Sequence, residues 1–218
     1  MDSTDVAVVD RGTVGPDTFT LTFDTPAGFE GRAGQFVRLS AAVDGESYAR
    51  FYTLSSPDTE DTFEVTAEVH EEGGPFSAYL ADLTVGEEIT MAGPFGEDYY
   101  EDESRAVVLA GGPGIGAAIA IAEAAVANDA EAAVVYSYDG EPAHTERLDA
   151  LEAAGAEVVR LGEDAGADAF HTAVDDVLTG AEDEGVFVYG FTDFVDLATE
   201  AIEGAGGDVD GAKVENFG

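Results

Sequence analysis

Hydrophobic and polar positions follow two rhythms along this chain. From Val6 to about Met91 the apolar residues come in short runs: VAVVDR, TFTLTFD, QFVRLSAAV, RFYTL, TFEVTAEVH and EEITMAG. Val, Thr, Phe and Tyr fill these runs, and Gly, Pro, Asp and Glu separate them, which is the pattern of strands closed by turns. Six strands at such spacing predict an antiparallel barrel or sandwich. One helix interrupts them, FSAYLADL over 76–83, with apolar residues at i, i+3, i+4 and i+7.

After EDESR (101–105) the rhythm changes. AVVLAGG is an apolar strand and an Ala-rich helix follows it to about Asn128. AAVVYSY, AEVVRLG and GVFVYG are further strands, alternating with the helices HTERLDALEAAG, DAFHTAVDDVLTG and DFVDLATEAIEGAGG. Gly155 and Gly180 are placed to cap helix ends, and KVENF follows the last helix. Strands alternating with helices predict a doubly wound parallel sheet. The expected organisation is therefore a β-barrel over 1–101 and an α/β domain over 102–218. Ala106 to Ala122 carries no charge. Its glycine-rich centre breaks any membrane helix, which would need about 20 continuous apolar residues.

Charge changes the picture. The 218 residues include 47 Asp plus Glu against 8 basic residues, for a net charge of −39, and Lys213 is the sole lysine. Acids spread along the whole chain rather than forming a tail of like charges, with clusters at Glu71-Glu72 and at 98–103. Self-repulsion of this size opposes a compact state in ordinary salt. Molar salt shrinks the Debye length to roughly 3 Å and removes most of that cost. A halophilic protein is expected. The absence of a basic face argues against nucleic acid as a partner. With no cysteine, the chain has neither disulfides nor thiolate sites for zinc or iron–sulfur clusters. MDSTDVAVVD lacks the charged and apolar regions of a signal peptide, so a soluble cytoplasmic protein is expected. His70, His144 and His171 share no ligand spacing, and no metal site is assigned.

Three segments could carry chemistry. RFYTLSSP (50–57) sets a guanidinium, an aromatic ring and a hydroxyl on one strand. Alternation sends Arg50 and Tyr52 to one face and Thr53 to the other, unless a ligand lies along the strand edge. Arg50 is either a phosphate partner or an edge arginine whose stem covers apolar surface. GGPFSAYL (73–80) leads glycines into a helix whose first turn holds Ser77, either an anion site or a capped surface helix. AGGPGIG (110–116) is a glycine-rich turn at the end of the first parallel strand, where a pyrophosphate can approach backbone.

In this order the segments resemble the ferredoxin–NADP reductase family over essentially the whole chain. Its Arg-x-Tyr-Ser/Thr strand is matched by Arg50, Phe51, Tyr52 and Thr53, and its Gly-x-x-Ser turn by Gly74, Pro75, Phe76 and Ser77. GPFG at 93–96 matches a Gly-Pro-x-Gly segment, and Gly111, Gly112, Pro113, Gly114, Ile115 and Gly116 match the nicotinamide loop. The end, Glu215 to Gly218, matches Glu-x-Phe-Gly.

The resemblance implies FAD and NADH or NADPH as cofactors, and a separate electron acceptor such as ferredoxin as partner. A reductase subunit of an oxygenase-type complex and a non-catalytic nucleotide-binding protein are the competing readings. By the same resemblance Arg50 pairs with the FAD pyrophosphate, and Tyr52 lies against the flavin. Thr53 hydrogen-bonds near flavin N5, with Val69 and His70 running alongside and Ser77 at the phosphates. Glu215 lies near the nicotinamide and Phe217 covers a cofactor surface; Thr53 and Glu215 are the catalytic candidates. The family's Cys-Gly-Pro reads Tyr189, Gly190, Phe191 here, which puts a bulky ring where the nicotinamide would approach. Asp139, at the end of the second parallel strand, either accepts the adenosine ribose hydroxyls, favouring NADH, or opens a turn with Gly140. Arg147 and Arg160 are within plausible reach of a 2′-phosphate.

Overall fold

A computed structural model describes residues 3–69 and 74–218. Two sheets make up the molecule. The first holds β1 (Thr4–Thr13), β2 (Thr18–Asp24), β3 (Phe36–Val43), β4 (Glu46–Thr53), β5 (Thr62–Glu68) and β6 (Glu88–Phe95), all antiparallel, in the order β4-β3-β6-β1-β2-β5. A bridge between Leu54 and Val65 joins its two ends and closes a barrel. Alternation puts Val6, Val8, Leu21, Phe23, Val37, Leu39, Phe63 and Val65 inside, all buried. α1 (Gly74–Asp82) lays Phe76 and Leu80 on this core.

The second sheet is parallel: β7 (Arg105–Gly111), β8 (Glu131–Tyr138), β9 (Glu157–Gly162), β10 (Glu184–Gly190) and β11 (Lys213–Asn216). Their order is β11-β10-β7-β8-β9. Helices α2 (Ile115–Ala127), α3 (Thr145–Ala153), α4 (Gly166–Val177) and α5 (Thr192–Gly204) separate the strands in sequence. The chain reverses its direction of winding between β7 and β10, and in such sheets ligands bind beyond the strand ends at that point. β7 is buried at every position, as a strand covered on both faces must be. The uncharged run 106–122 is thus strand, turn and buried helix. Among the described residues no helix is long and apolar enough to cross a membrane.

Two details depart from the sequence reading. KVENF contains a strand, β11, which pairs in parallel with β10 at the sheet edge. Gly180 does not cap α4. That helix ends at Val177, and Leu178 is already extended. Gly180, at φ +65°, instead turns the chain so that its N–H and that of Thr179 donate to the Glu184 carboxylate. Gly155, at φ +101°, does follow the end of α3 in the left-handed conformation that closes helices.

Candidate active site

β4 is a terminal strand in the barrel's order, so its flank is open to a ligand. Its register places Arg50 opposite Leu39 and Tyr52 opposite Val37, both core positions, while Phe51 faces Arg38 and Thr53 faces Phe36. The four residues therefore alternate between faces, yet all of them line one cleft of about 540 Å³. The cleft runs between the barrel and the C-terminal end of the parallel sheet. Phe76 and Ser77 of α1 join it on the barrel side. Pro113, Gly116, Ala117, Phe191, Glu215, Asn216 and Phe217 form the other wall.

Charge in the cleft is incompletely paired. Arg50 donates to the carbonyl of its neighbour Ala49 at 2.8 Å, and among the described residues no carboxylate pairs with it. A free guanidinium in a chain with 47 acids is available to an added anion, and its planar donors suit a diphosphate. α1 begins at Gly74, whose φ of +74° admits glycine without strain, and its first turn brings Phe76 and Ser77 to the same cleft. Ser77 donates back to the Gly74 carbonyl at 3.3 Å. Burial, opposed by the Arg50 charge, pushes the Tyr52 phenol up to about 12, so it stays protonated. These residues fit the phosphates and ring system of FAD.

Across the cleft Thr53 Oγ1 donates to Glu215 Oε2 at 3.0 Å, joining β4 to β11. Burial, with the Asp98 charge behind it, pushes the Glu215 carboxyl up to about 7; the Thr53 hydrogen bond opposes the shift. A group that titrates near neutrality can hold or release a proton at working pH. Phe191 and Phe217 meet edge to face with centroids 6.0 Å apart, and Phe51 packs likewise on Phe36 at 5.4 Å. Phe51 is 60% and Phe191 48% exposed, so the rim is aromatic and open.

The glycines of the 110–116 turn divide their work. A side chain at Gly114 would strike the Tyr189 carbonyl, and one at Gly116 would meet Thr66 at 2.7 Å; both serve close packing. At Gly112, with φ +51°, a Cβ would meet nothing within 4 Å, so open space lies above the turn.

Other predicted residues stand elsewhere. Gly111, Gly190 and Ile115 lie beneath the cleft wall, with Phe194 packed against both glycines. Val69 is half-buried after β5, and its N–H donates to the Asp17 carbonyl. Asp139 is exposed just past β8, beside Gly140 in a left-handed turn. His70 lies outside the described residues. Tyr189 does not line the cleft, contrary to the expectation that its ring narrows the nicotinamide approach. The ring is 1% exposed and packs in the seam between the two sheets with Ala33 and Tyr100. Its hydroxyl donates to the Asp98 carbonyl at 3.3 Å. Arg147 pairs with Glu64 and Glu123, and Arg160 with Asp149 and Glu152, so each is already neutralised. Sequence reasoning missed Phe36 and Thr66 in the cleft; both are outward-facing strand positions that alternation alone could have marked.

The class that fold and cleft define is the two-domain ferredoxin reductase-like architecture. Residues 5–100 match the family model described as the oxidoreductase FAD-binding domain. Over 103 residues the chain is 35% identical to the glycine betaine monooxygenase reductase subunit of Chromohalobacter salexigens, a match covering 45% of this chain and 27% of that protein. Over 86 residues it is 36% identical to NADH-cytochrome b5 reductase 1 of Eremothecium gossypii, covering 38% and 30%. The match thus spans under a third of these curated relatives. A ferredoxin NADP+ reductase from Neisseria gonorrhoeae, solved with FAD and NADP bound, superposes with TM-score 0.80 at 21% identity over 99% of both chains. The Amycolatopsis cytochrome P450 reductase gives 0.81 at 22% identity, over 99% of this chain and 70% of that one.

Proposed function

We propose that this chain is an FAD-dependent oxidoreductase that takes hydride from NAD(P)H and passes electrons to a separate acceptor, ferredoxin or a similar carrier. The observation that carries this reading is the aromatic-walled cleft with the Thr53–Glu215 hydrogen bond spanning it. Bound FAD supplies the hydride acceptor and the means of releasing electrons singly. The chain's own residues bind, orient and handle the proton. Arg50 and the α1 N-terminus hold the diphosphate, Tyr52 lies against the ring system, and Thr53 reaches its reactive edge. Glu215 holds or yields a proton beside the nicotinamide, and Phe191 and Phe217 keep water from that face. Residues 1–101 then form the flavin domain and 102–218 the nicotinamide domain. Asp139 favours NADH by repelling a 2′-phosphate, because Arg147 and Arg160 are already paired.

A second reading is supported by the match to the glycine betaine monooxygenase reductase subunit: the acceptor is an oxygenase component rather than a free carrier. The chemistry in the cleft is the same, and only the acceptor differs. Steady-state assays with NADH, FAD and either a ferredoxin or a ferricyanide dye test the reading. FAD-dependent turnover with both supports a reductase. Turnover with neither, at any salt concentration, overturns it.

The acid-rich surface is a halophilic adaptation of a cytoplasmic protein on this account. Diluting from molar to about 0.1 M salt lengthens the Debye length to roughly 10 Å and restores repulsion among the acids. The melting temperature should fall on dilution; a flat or rising one would count against the adaptation.

A further inference from the structure

We propose that His144 is a positioning residue: through Thr66, and together with Arg147, it sets how the parallel-sheet half sits on the barrel across the cleft. The consequence for hydride transfer rests on the reductase reading above; the grip itself does not.

His144 immediately precedes α3 and is 3% exposed. Its Nε2 is hydrogen-bonded to Thr66 Oγ1 at 2.9 Å, and its backbone N–H donates to the Val14 carbonyl at 2.8 Å. Three residues on, Arg147 donates to Glu64 at 2.8 Å and to the Ser55 carbonyl at 2.7 Å. The same guanidinium binds Glu123 of α2 through two bonds of 2.8 and 2.6 Å. One turn of chain therefore takes hold of β5 at two positions, Glu64 and Thr66, that project from the same face of the strand. Thr66 lines the cleft, and Gly116 of α2 packs on it so closely that a Cβ there would lie 2.7 Å away. The grip thus ends at the point where the two walls approach each other.

The backbone supports this assignment. His144 has φ +56°, a conformation that costs a side-chain-bearing residue free energy and persists where surrounding contacts hold it. The groups facing the ring are few. Arg147 is the charged neighbour on its own element, with Glu64 of β5 and Glu123 of α2 reached through that guanidinium; Thr66 supplies the hydroxyl. Burial first, then the Arg147 charge, push the His144 ring down to about 3, so it is neutral near pH 7. In the window between the ordinary value of 6.5 and about 3 the unfolded chain binds a proton that the folded one refuses. The grip is whole above that window and is lost as pH falls through it.

The chain has no cysteine, so a labelled pair can be introduced cleanly. Asp24→Cys on the barrel and Glu200→Cys on α5, both exposed, would carry spin labels whose distance distribution reports the placement of the two halves. A single narrow distribution is expected, unchanged between pH 6 and 8. His144→Asn keeps the left-handed preference and shortens the reach to Thr66; it should broaden the distribution. His144→Gln, whose amide reaches the Nε2 position, should restore it. Thr66→Val should broaden it as His144→Asn does, and the double variant no further. Should His144→Asn fail to fold, Thr66→Val carries the same readout. In FAD-loaded protein the limiting rate of flavin reduction by NADH should fall about tenfold or more in His144→Asn, while FAD affinity holds. A narrow distribution in both His144→Asn and Thr66→Val overturns the proposal. A parent protein that NADH never reduces would overturn the reductase reading alone, and the distances would still decide the grip.

Discussion

At the N-terminal end of the parallel sheet, Arg105 meets Glu131 of β8, Glu157 of β9 and Glu184 of β10 at 2.9, 3.0 and 3.1 Å, and also donates to the Val177 carbonyl. At the opposite end, beyond the strands' carboxyl termini, the cleft holds an arginine that no carboxylate pairs with among the described residues, a glutamate pushed toward neutrality and an aromatic rim open to solvent. Both ends belong to one acid-rich chain. The first spends its scarce cation on tying four strand starts together. The second leaves a cation unsatisfied and a carboxylate partly desolvated. What sets this end apart is that an arginine, a raised carboxyl and aromatic rings meet in one cleft, the pattern of a ligand site.

Breaking the saturated end should have the largest effect. Arg105→Met leaves Glu184, whose side chain is 4% exposed, without its cation. A loss of about 3–5 kcal/mol in denaturant unfolding is expected at molar salt, with FAD affinity per folded molecule unchanged. Arg50→Ala should do the reverse. FAD binding weakens by about 2–5 kcal/mol in a flavin titration while the melting temperature of the apoprotein stays where it was.

Glu215→Gln sharpens the contrast through pH. The folded carboxyl is raised to about 7 from an ordinary 4.5, so above 4.5 the unfolded chain releases a proton that the folded one retains. Stability therefore falls as pH rises from 4.5 to 7 and levels off above. The glutamine variant lacks this loss. Parent and variant should match at pH 4 and diverge at pH 8 in favour of the variant, by at most about 3 kcal/mol. The parent's rate of flavin reduction should titrate near pH 7, and the variant's should not. Asp139→Ala carries the smallest effect. Exposed charges contribute under about 1 kcal/mol, so the NADH-to-NADPH ratio of kcat/KM should fall by less than about fivefold. An unchanged ratio would leave Asp139 to its turn with Gly140.

Much of this contrast was legible in the sequence, and the exceptions have physical causes. The alternation of strands and helices, the glycine turn and the Arg50–Thr53 strand could be read because local periodicity and local chemistry define them. β11 could not. It is four residues long with two charges, and it becomes a strand by pairing with β10. Tyr189 was misplaced because its direction depends on Gly34, far away in the barrel, where a Cβ would lie 2.8 Å from the phenol oxygen. His144 carried no signal, since its partner Thr66 is 78 residues away and no ligand spacing surrounds it. Nothing local in EDESR marks Arg105; its role arises because the sheet brings three glutamates to it.

On the proposed function, the unsaturated end of the molecule holds FAD where NADH can reduce it. Anaerobic mixing of FAD-loaded protein with NADH at molar salt tests this most directly, followed through the flavin's visible absorption in parent, Arg50→Ala and Glu215→Gln proteins. Rapid bleaching is expected in the parent, loss of bound flavin in Arg50→Ala, and bleaching without the titration near pH 7 in Glu215→Gln. A parent that binds no flavin, or binds it and keeps its colour under both NADH and NADPH, would contradict that function.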